Sequence, residues 1–308
     1  MPKMHISKSI LIEAAQDKVH SIISDFNQWR PWSPWLISEP EAKVDVEPDG
    51  KYYEWTGKRV GAGNMRITAE TNAEIACDLM FLKPWKSKAK CNFYLEEKDG
   101  KTEVTWTMDS SLPFFMFFMK KMMMRLIGMD YERGLLMLKD YCETGKVNVS
   151  LEFMGESKRE ACKYVGIKND SSIDGMPKVM EADFGKLMDF ASNNQELVSD
   201  EWFSIYHKFA FGKNQASFTS AIKLNGEPVE ANLPEGLFIG SVPETKVYTI
   251  RHKGTYKLIG NAWSAITAMQ RAKEFKCNKG IHPMEIYRNS PKEVSPEELI
   301  SDISMPIV

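Results

Sequence analysis

The chain has 308 residues, of which 43% are hydrophobic and 27% charged, and its formal net charge is -2. That length is about twice an ordinary single domain and predicts two, each with enough apolar residues for a core. Near-neutral charge gives no global footprint for nucleic acid, and no nucleic-acid partner is expected. Five separated cysteines, Cys77, Cys91, Cys142, Cys162 and Cys277, have no C-x-x-C spacing, and the opening MPKMHISKSI lacks a secretory apolar stretch. A reducing, cytoplasmic compartment is the expectation.

The first half opens with an alternating strand at 4–12 and a short helix carrying Val19, Ile22, Ile23 and Phe26 at helical spacing. After RPWSPW come about six strand-like stretches, at 43–48, 51–57, 64–70, 74–81, 88–96 and 102–109, with PDG and KDG as turn signals. These predict an antiparallel meander. The most apolar run, LPFFMFFM at 112–119, is followed at once by Lys120 and Lys121. It falls far short of the ~20 residues that a membrane span requires. No span is expected, and the run is read as a core or pocket element.

A long helix is predicted over 114–143, with Phe118, Met122, Leu126 and Met129 on one stripe and Ile127, Tyr131, Leu135, Leu138 and Cys142 on another. Two apolar stripes mean either a helix wedged in a sheet or one wall of an adaptable, Met-lined pocket. Phe118, Met122, Leu126 and Met129 would line such a cavity from the helix, with Trp106 and Trp55 as candidates from the sheet. Trp29, Trp32 and Trp35 read as a structural plug in a loop fixed by Pro31 and Pro34.

The element order, with SDFNQWRPWSPW at 24–35, GKRVGAGNMRI at 57–67, TEVTWTMD at 102–109 and ERGLLMLKDYCE at 132–143, resembles the polyketide cyclase/dehydrase-like branch of the START/Bet v 1-like (SRPBCC) superfamily. The resemblance covers about 3–144. It implies a helix-grip fold, a curved antiparallel sheet gripping a long C-terminal helix, with a cavity for lipids, sterols, polyketides or other apolar ligands. Such motifs specify fold well and function poorly.

TGKVNVSLEFMGESKRE at 144–160 has no strong periodicity and reads in part as a linker. The expected organisation is therefore a first domain at 1–147, a linker at 148–158 and a second domain at 159–308. Beyond 160 the chain runs twice through one plan. A strand at 161–169, a helix at 177–194 and two strands form the first pass; 236–254, a helix carrying Ile259, Trp263, Ile266 and Met269, and strands at 281–288 and 302–307 form the second. A duplicated β-α-β-β unit predicts pseudo-two-fold symmetry, and the chain as a whole reads as α+β.

Setting WFSIYHKF at 202–209 over PMEIYRNS at 283–290 puts Tyr206 on Tyr287 and Ser204 on Glu285. By strand alternation Trp202, Ser204 and Tyr206 share a face, as do Glu285 and Tyr287. One carboxylate, with a serine as its repeat counterpart, then meets several aromatic rings near the axis. The bland alternative leaves Glu285 exposed or paired with Lys253 or Arg251. Arg251 and His252 themselves would either line a cleft or, the favoured reading, solvate an edge.

YTIRHKGTYKLIGNAWSAI, HPMEIYRNSP and the tail ISMPIV resemble the GyrI-like effector-binding domain of AraC- and MerR-type multidrug regulators, over about 159–308. The resemblance implies a pocket between repeats in which a central glutamate, here Glu285, meets cationic or polar aromatic ligands beside Tyr287, Tyr256 and Trp263. Tyr206 and Trp202 are added from the repeat alone. No helix-turn-helix accompanies the domain, which leaves a transcription-factor role poorly supported.

Aromatic faces and one carboxylate in a water-poor cleft select a flat cation, and burial without ligand predicts a raised carboxyl pKa. The leading expectation is a small-molecule-binding protein that senses or sequesters amphiphilic, aromatic or cationic compounds of xenobiotic type. The alternative is a hydrolase of reactive electrophiles, with Glu285 as base and Tyr287 or Tyr256 as acid. The absence of H-x-x-x-H, P-loop, G-x-S-x-G and dinucleotide glycine motifs leads to no expected metal or cofactor.

Overall fold

A computed structural model describes residues 3–226 and 233–308. The chain divides into two compact units, Met1–Ser150 with Trp263–Ala272, and Leu151–Ala262 with Lys273–Val308.

In the first unit β1 (Lys3–Ile12) is followed by α1 (Gln16–Ile23) and then by β2 (Lys43–Val46), β3 (Tyr52–Thr56), β4 (Ala62–Thr71), β5 (Glu74–Lys83), β6 (Ser87–Lys98) and β7 (Lys101–Ser111). The meander forms one antiparallel sheet in the order β1-β7-β6-β5-β4-β3-β2, closed at one edge by the β1–β7 pairing of Ile6 with Met108. At the KDG turn Asp99 and Gly100 take left-handed φ of 52° and 76°, the conformation that a tight hairpin demands and that Asp and Gly tolerate best.

The long helix starts later than expected. Phe114–Met119 forms a 3-10 segment and α2 runs from Lys120 to Thr144, ending on Gly145 at φ 77°. Pro113 precedes the 3-10 segment, which has no side-chain cap. Of the two predicted stripes one is buried, through Tyr131, Leu135, Leu138 and Cys142. Met122, Leu126 and Met129 are only half-buried. The LPFFMFFM run departs further from expectation. Phe114, Phe115, Phe117 and Phe118 are 77, 73, 60 and 71% exposed, so the run is not a core element.

Between sheet and helix sits an aromatic cluster. Trp106 is fully buried and stacks on Tyr131 at 3.9 Å and on Phe93 at 4.9 Å, with Trp29, Trp32 and Trp35 meeting it edge-on. A Cβ on Gly134 would lie 2.8 Å from the Trp106 ring, so glycine is what lets helix and indole approach this closely.

The second unit holds β8 (Ser150–Arg159), β9 (Cys162–Ser171), α3 (Met176–Asn193), β10 (Val198–Ala210), β11 (Gln215–Leu224), β12 (Phe238–Val242), β13 (Thr245–Lys253), α4 (Gly260–Arg271), β14 (Met284–Tyr287) and β15 (Ile300–Ile307). Its eight strands run β12-β9-β11-β10-β14-β15-β13-β8. The order is symmetric about β10 and β14, the duplication expected from the sequence. The first repeat is longer than the sequence reading had it, because β8 precedes β9 and edges β13, just as β12, already within the second repeat, precedes β13 and edges β9. The segment 148–158 is thus not mainly a linker. Most of it is a strand whose backbone groups are taken up by the opposite repeat.

Two cores lie on opposite sides of this sheet. Phe203, Ile205, Met284 and Ile286 join Tyr164, Ala221 and Val242 on one side. On the other, Leu187 and Phe190 of α3 pack with Val165, Ile167, Ile222 and Leu224, and Trp202 is packed against them. Strand alternation therefore sends Ser204, Tyr206, Glu285 and Tyr287 to the side that α3 covers.

Candidate functional site

The two repeats meet in an antiparallel pair of β10 with β14. Ser204 lies directly across from Glu285, and Trp202 across from Tyr287. In a two-fold arrangement a residue faces its own counterpart only at the axis, so the Ser204–Glu285 pair marks that axis. The same relation sets Tyr206 beside Pro283, whose carbonyl accepts the Tyr206 amide at 3.0 Å. One glutamate at a symmetry axis cannot be duplicated without two carboxylates meeting face to face.

Glu285 is 5% exposed. The Tyr206 hydroxyl donates to its Oε2 at 3.3 Å, and the hydroxyls of Ser204 and Tyr287 are 3.1 Å apart. Around them the rings stand edge to face: Tyr256 on Tyr287 at 5.8 Å, Phe184 on Tyr287 at 5.4 Å and Phe184 on Trp202 at 6.1 Å. Burial first, and the Glu285 charge second, push the Tyr206 and Tyr287 phenols well above their ordinary range. The same two causes raise Tyr256 to about 12. These phenols stay protonated near neutral pH and serve as hydrogen-bond donors.

The structure thus gathers Glu285, Tyr287, Tyr206, Trp202 and Tyr256. Trp263 is half-buried on α4, within the stretch that belongs to the first unit. The first-unit candidates are scattered. Phe118 points to solvent, 71% exposed, because it lies on the 3-10 segment ahead of the helix proper. Trp106 is sealed between two rings rather than facing a cavity, and the indole nitrogens of Trp29, Trp32 and Trp106 are buried without a hydrogen-bond partner. Trp55 stacks on Tyr53 at 5.4 Å and gives its indole N–H to the Val60 carbonyl.

Glu285 is buried rather than exposed, which removes the first of its two bland alternatives. Arg251 instead gives its Nε–H to Asp302 at 2.7 Å, and Arg288 does the same at 2.6 Å. His252, expected to solvate an edge, is fully buried; burial lowers its pKa and its Nε2 lies 3.2 Å from the Thr255 carbonyl.

Sequence reasoning missed Asp183 on α3. It is 3% exposed, accepts from Asn169 at 2.8 and 3.0 Å and from Ser220 at 3.1 Å, and burial raises its pKa against the pull of those bonds. Ser220 on β11 stands directly across from Ser204 on β10, so a row of polar side chains crosses the sheet on the covered side. The available signal was an acid at i, i+4 and i+7 with Leu187 and Phe190 in an otherwise apolar stripe. Phe184 carried no comparable signal. Among the described residues no group of three acidic, histidine or cysteine side chains is placed to hold a metal ion.

Residues 3–143 match the family model described as polyketide cyclase / dehydrase and lipid transport, and residues 158–308 match that of the GyrI-like small molecule binding domain. No curated protein matches the chain. Among solved structures, the EcmrR C-terminal domain is 16% identical, with 52% of this chain and 98% of that one covered at a TM-score of 0.39. SAV2435 bound to tetraphenylphosphonium is 13% identical, with 51% and 94% covered at 0.40. The Aha1 dimer from Colwellia psychrerythraea is 20% identical, with 46% and 98% covered at 0.35. By its two family matches the chain joins a member of the polyketide cyclase/dehydrase and lipid transport family, over 3–143, to a member of the GyrI-like small-molecule-binding family, over 158–308.

Proposed function

We propose that the second unit binds flat, cationic or polar aromatic molecules at the repeat axis, and that the protein senses or sequesters them in the cytoplasm. The supporting observation is a carboxylate, 5% exposed, held by the Tyr206 hydroxyl beneath aromatic rings. Ring faces attract a cation and the carboxylate supplies its counter-charge, both strengthened where water is excluded. The cluster is closed over, so entry would pass by the half-buried Trp202 and Tyr256. The first unit would hold a separate apolar ligand beside Met122, Leu126 and Met129. The same reading keeps the units as independent domains, with the junction at 145–149 rather than across 148–158.

Glu285→Gln keeps the shape and removes the charge. Calorimetric titration with a planar cationic dye and a neutral dye of equal shape tests it. The cation should lose about 1–3 kcal/mol of binding free energy, the scale of a charge-assisted contact, and the neutral dye almost nothing. Equal losses, or none, would sink the assignment.

Hydrolysis, with Glu285 as base and Tyr287 or Tyr256 as acid, is the second reading. Protonated phenols beside a carboxylate favour it. Turnover of reactive electrophiles followed by mass spectrometry, lost in Glu285→Gln, would separate it from binding.

A further inference from the structure

We infer that one end of the first unit docks on an anionic lipid bilayer surface. Phe114, Phe115, Phe117 and Phe118 project from the 3-10 segment between β7 and α2, each at least 60% exposed. Soluble surfaces seldom present four adjacent phenylalanines to water, and contiguous apolar patches of this kind mark interaction sites. A second apolar projection stands at the same end. Leu82 and Trp85, 38 and 46% exposed, lie at the turn between β5 and β6. The β6–β7 register sets Ala89 across from Ser110, so that turn and the start of the phenylalanine segment leave the sheet on one side.

Charge decides what covers these rings. From Leu79 to Leu95 there is no acidic residue and there are four lysines; from Ser110 to Met129 there is again no acid, and Lys120, Lys121 and Arg125 are the charges. Lys83, Lys86, Lys88 and Lys121 are exposed, and Lys120 is half-buried. β1 carries no acid, and Lys3 pairs with Ser111 beside the patch. The nearest acids, Asp78 and Asp109, lie further back on the strands and are engaged with Lys90 and His5, so the apolar tip is rimmed mainly by positive charge. A second copy meeting it about a two-fold axis would oppose lysine to lysine. A bilayer with anionic headgroups satisfies both parts: the rings enter the interface and the lysines meet phosphates. The 3-10 segment is too short to span, and no described helix is long and apolar enough to cross, so the contact is peripheral.

Co-sedimentation of the full chain with vesicles of equal phosphatidylglycerol and phosphatidylcholine, and with vesicles of phosphatidylcholine alone, tests this. Wild type should prefer the anionic vesicles and lose that preference in high salt. Phe114→Ser with Phe117→Ser should weaken partitioning at least about tenfold, and Lys120→Ser with Lys121→Ser on the order of 20-fold. All these side chains lie outside the core, so circular dichroism and cationic-dye binding should be unchanged. Failure of wild type to bind anionic vesicles, or binding that both double variants retain, overturns the inference. A concentration-dependent dimer, or an acidic protein partner, that disappears with the phenylalanines while vesicle binding is absent assigns the patch elsewhere and overturns it equally.

Discussion

The two units bury aromatic rings in opposite ways. In the first, Trp106 is held face to face by Tyr131 and Phe93 among other indoles and the Cys91 thiol, pushed up to about 12 by burial; the nearest carboxylate, Asp130, stays at the rim, taking the Trp35 indole N–H at 3.1 Å and pairing with Arg133. In the second, the rings of Tyr206, Tyr287 and Tyr256 surround hydroxyls and the Glu285 carboxylate. A stacked apolar cluster contributes through area and contact, and gains from having no gap. A ring cluster around a buried charge gives up some of that stability for selectivity. The difference teaches that aromatic content alone does not identify a site; the polar group enclosed by the rings does.

Trp106→Ala gives the largest expected effect. It opens a void between sheet and helix and should cost about 3–5 kcal/mol. Calorimetry should show the first unit's transition falling while cationic-dye binding in the second survives. A parallel loss of dye binding would break the separation of the units.

A smaller effect is spectroscopic. Tyr256 stands at about 12, raised by burial first and by Glu285 second, against about 10 for an unfolded tyrosine. The folded value is the higher one, so the stability tied to this phenol is intact below about pH 10 and is lost as pH rises from there through 12. Glu285→Gln removes the second cause only. The phenolate absorbance titration should move down but remain above the ordinary value. An unmoved curve would separate Tyr256 from the carboxylate.

The smallest effect concerns the half-buried stripe. Met122→Trp, at a half-buried position, should leave the fold intact, yet reduce uptake of an apolar fluorescent probe several-fold if that stripe lines a cavity. Unchanged uptake in a folded variant would leave the first unit as a solid core, which would sharpen the contrast with the second.

Much of this was legible without coordinates. Turn signals and alternation pointed to the meander of about six strands, and a common Ile-Tyr dipeptide aligned the repeats so that Ser204 fell on Glu285; the pairing of β1 with β7 came only with the structure. Alternation carries that far because a strand residue's face depends on parity alone. The fate of 148–158 was not legible: its alternation is weak, and it becomes a strand only because β13 of the other repeat offers an open edge. Asp183 was legible only as an acid out of place in a helical stripe.

Periodicity and the internal duplication set the order of elements and the carboxylate at the axis, since each is a property of local pattern or of symmetry, and the resemblance of the quoted motifs to two families supplied the folds. Tertiary structure alone decided that Trp106 is sealed by Tyr131, that Tyr206 reaches Glu285, and that four phenylalanines of the most apolar run face water. Those outcomes depend on which surfaces the rest of the chain has left to cover, and hydrophobicity, which has no direction, cannot specify them from within a segment.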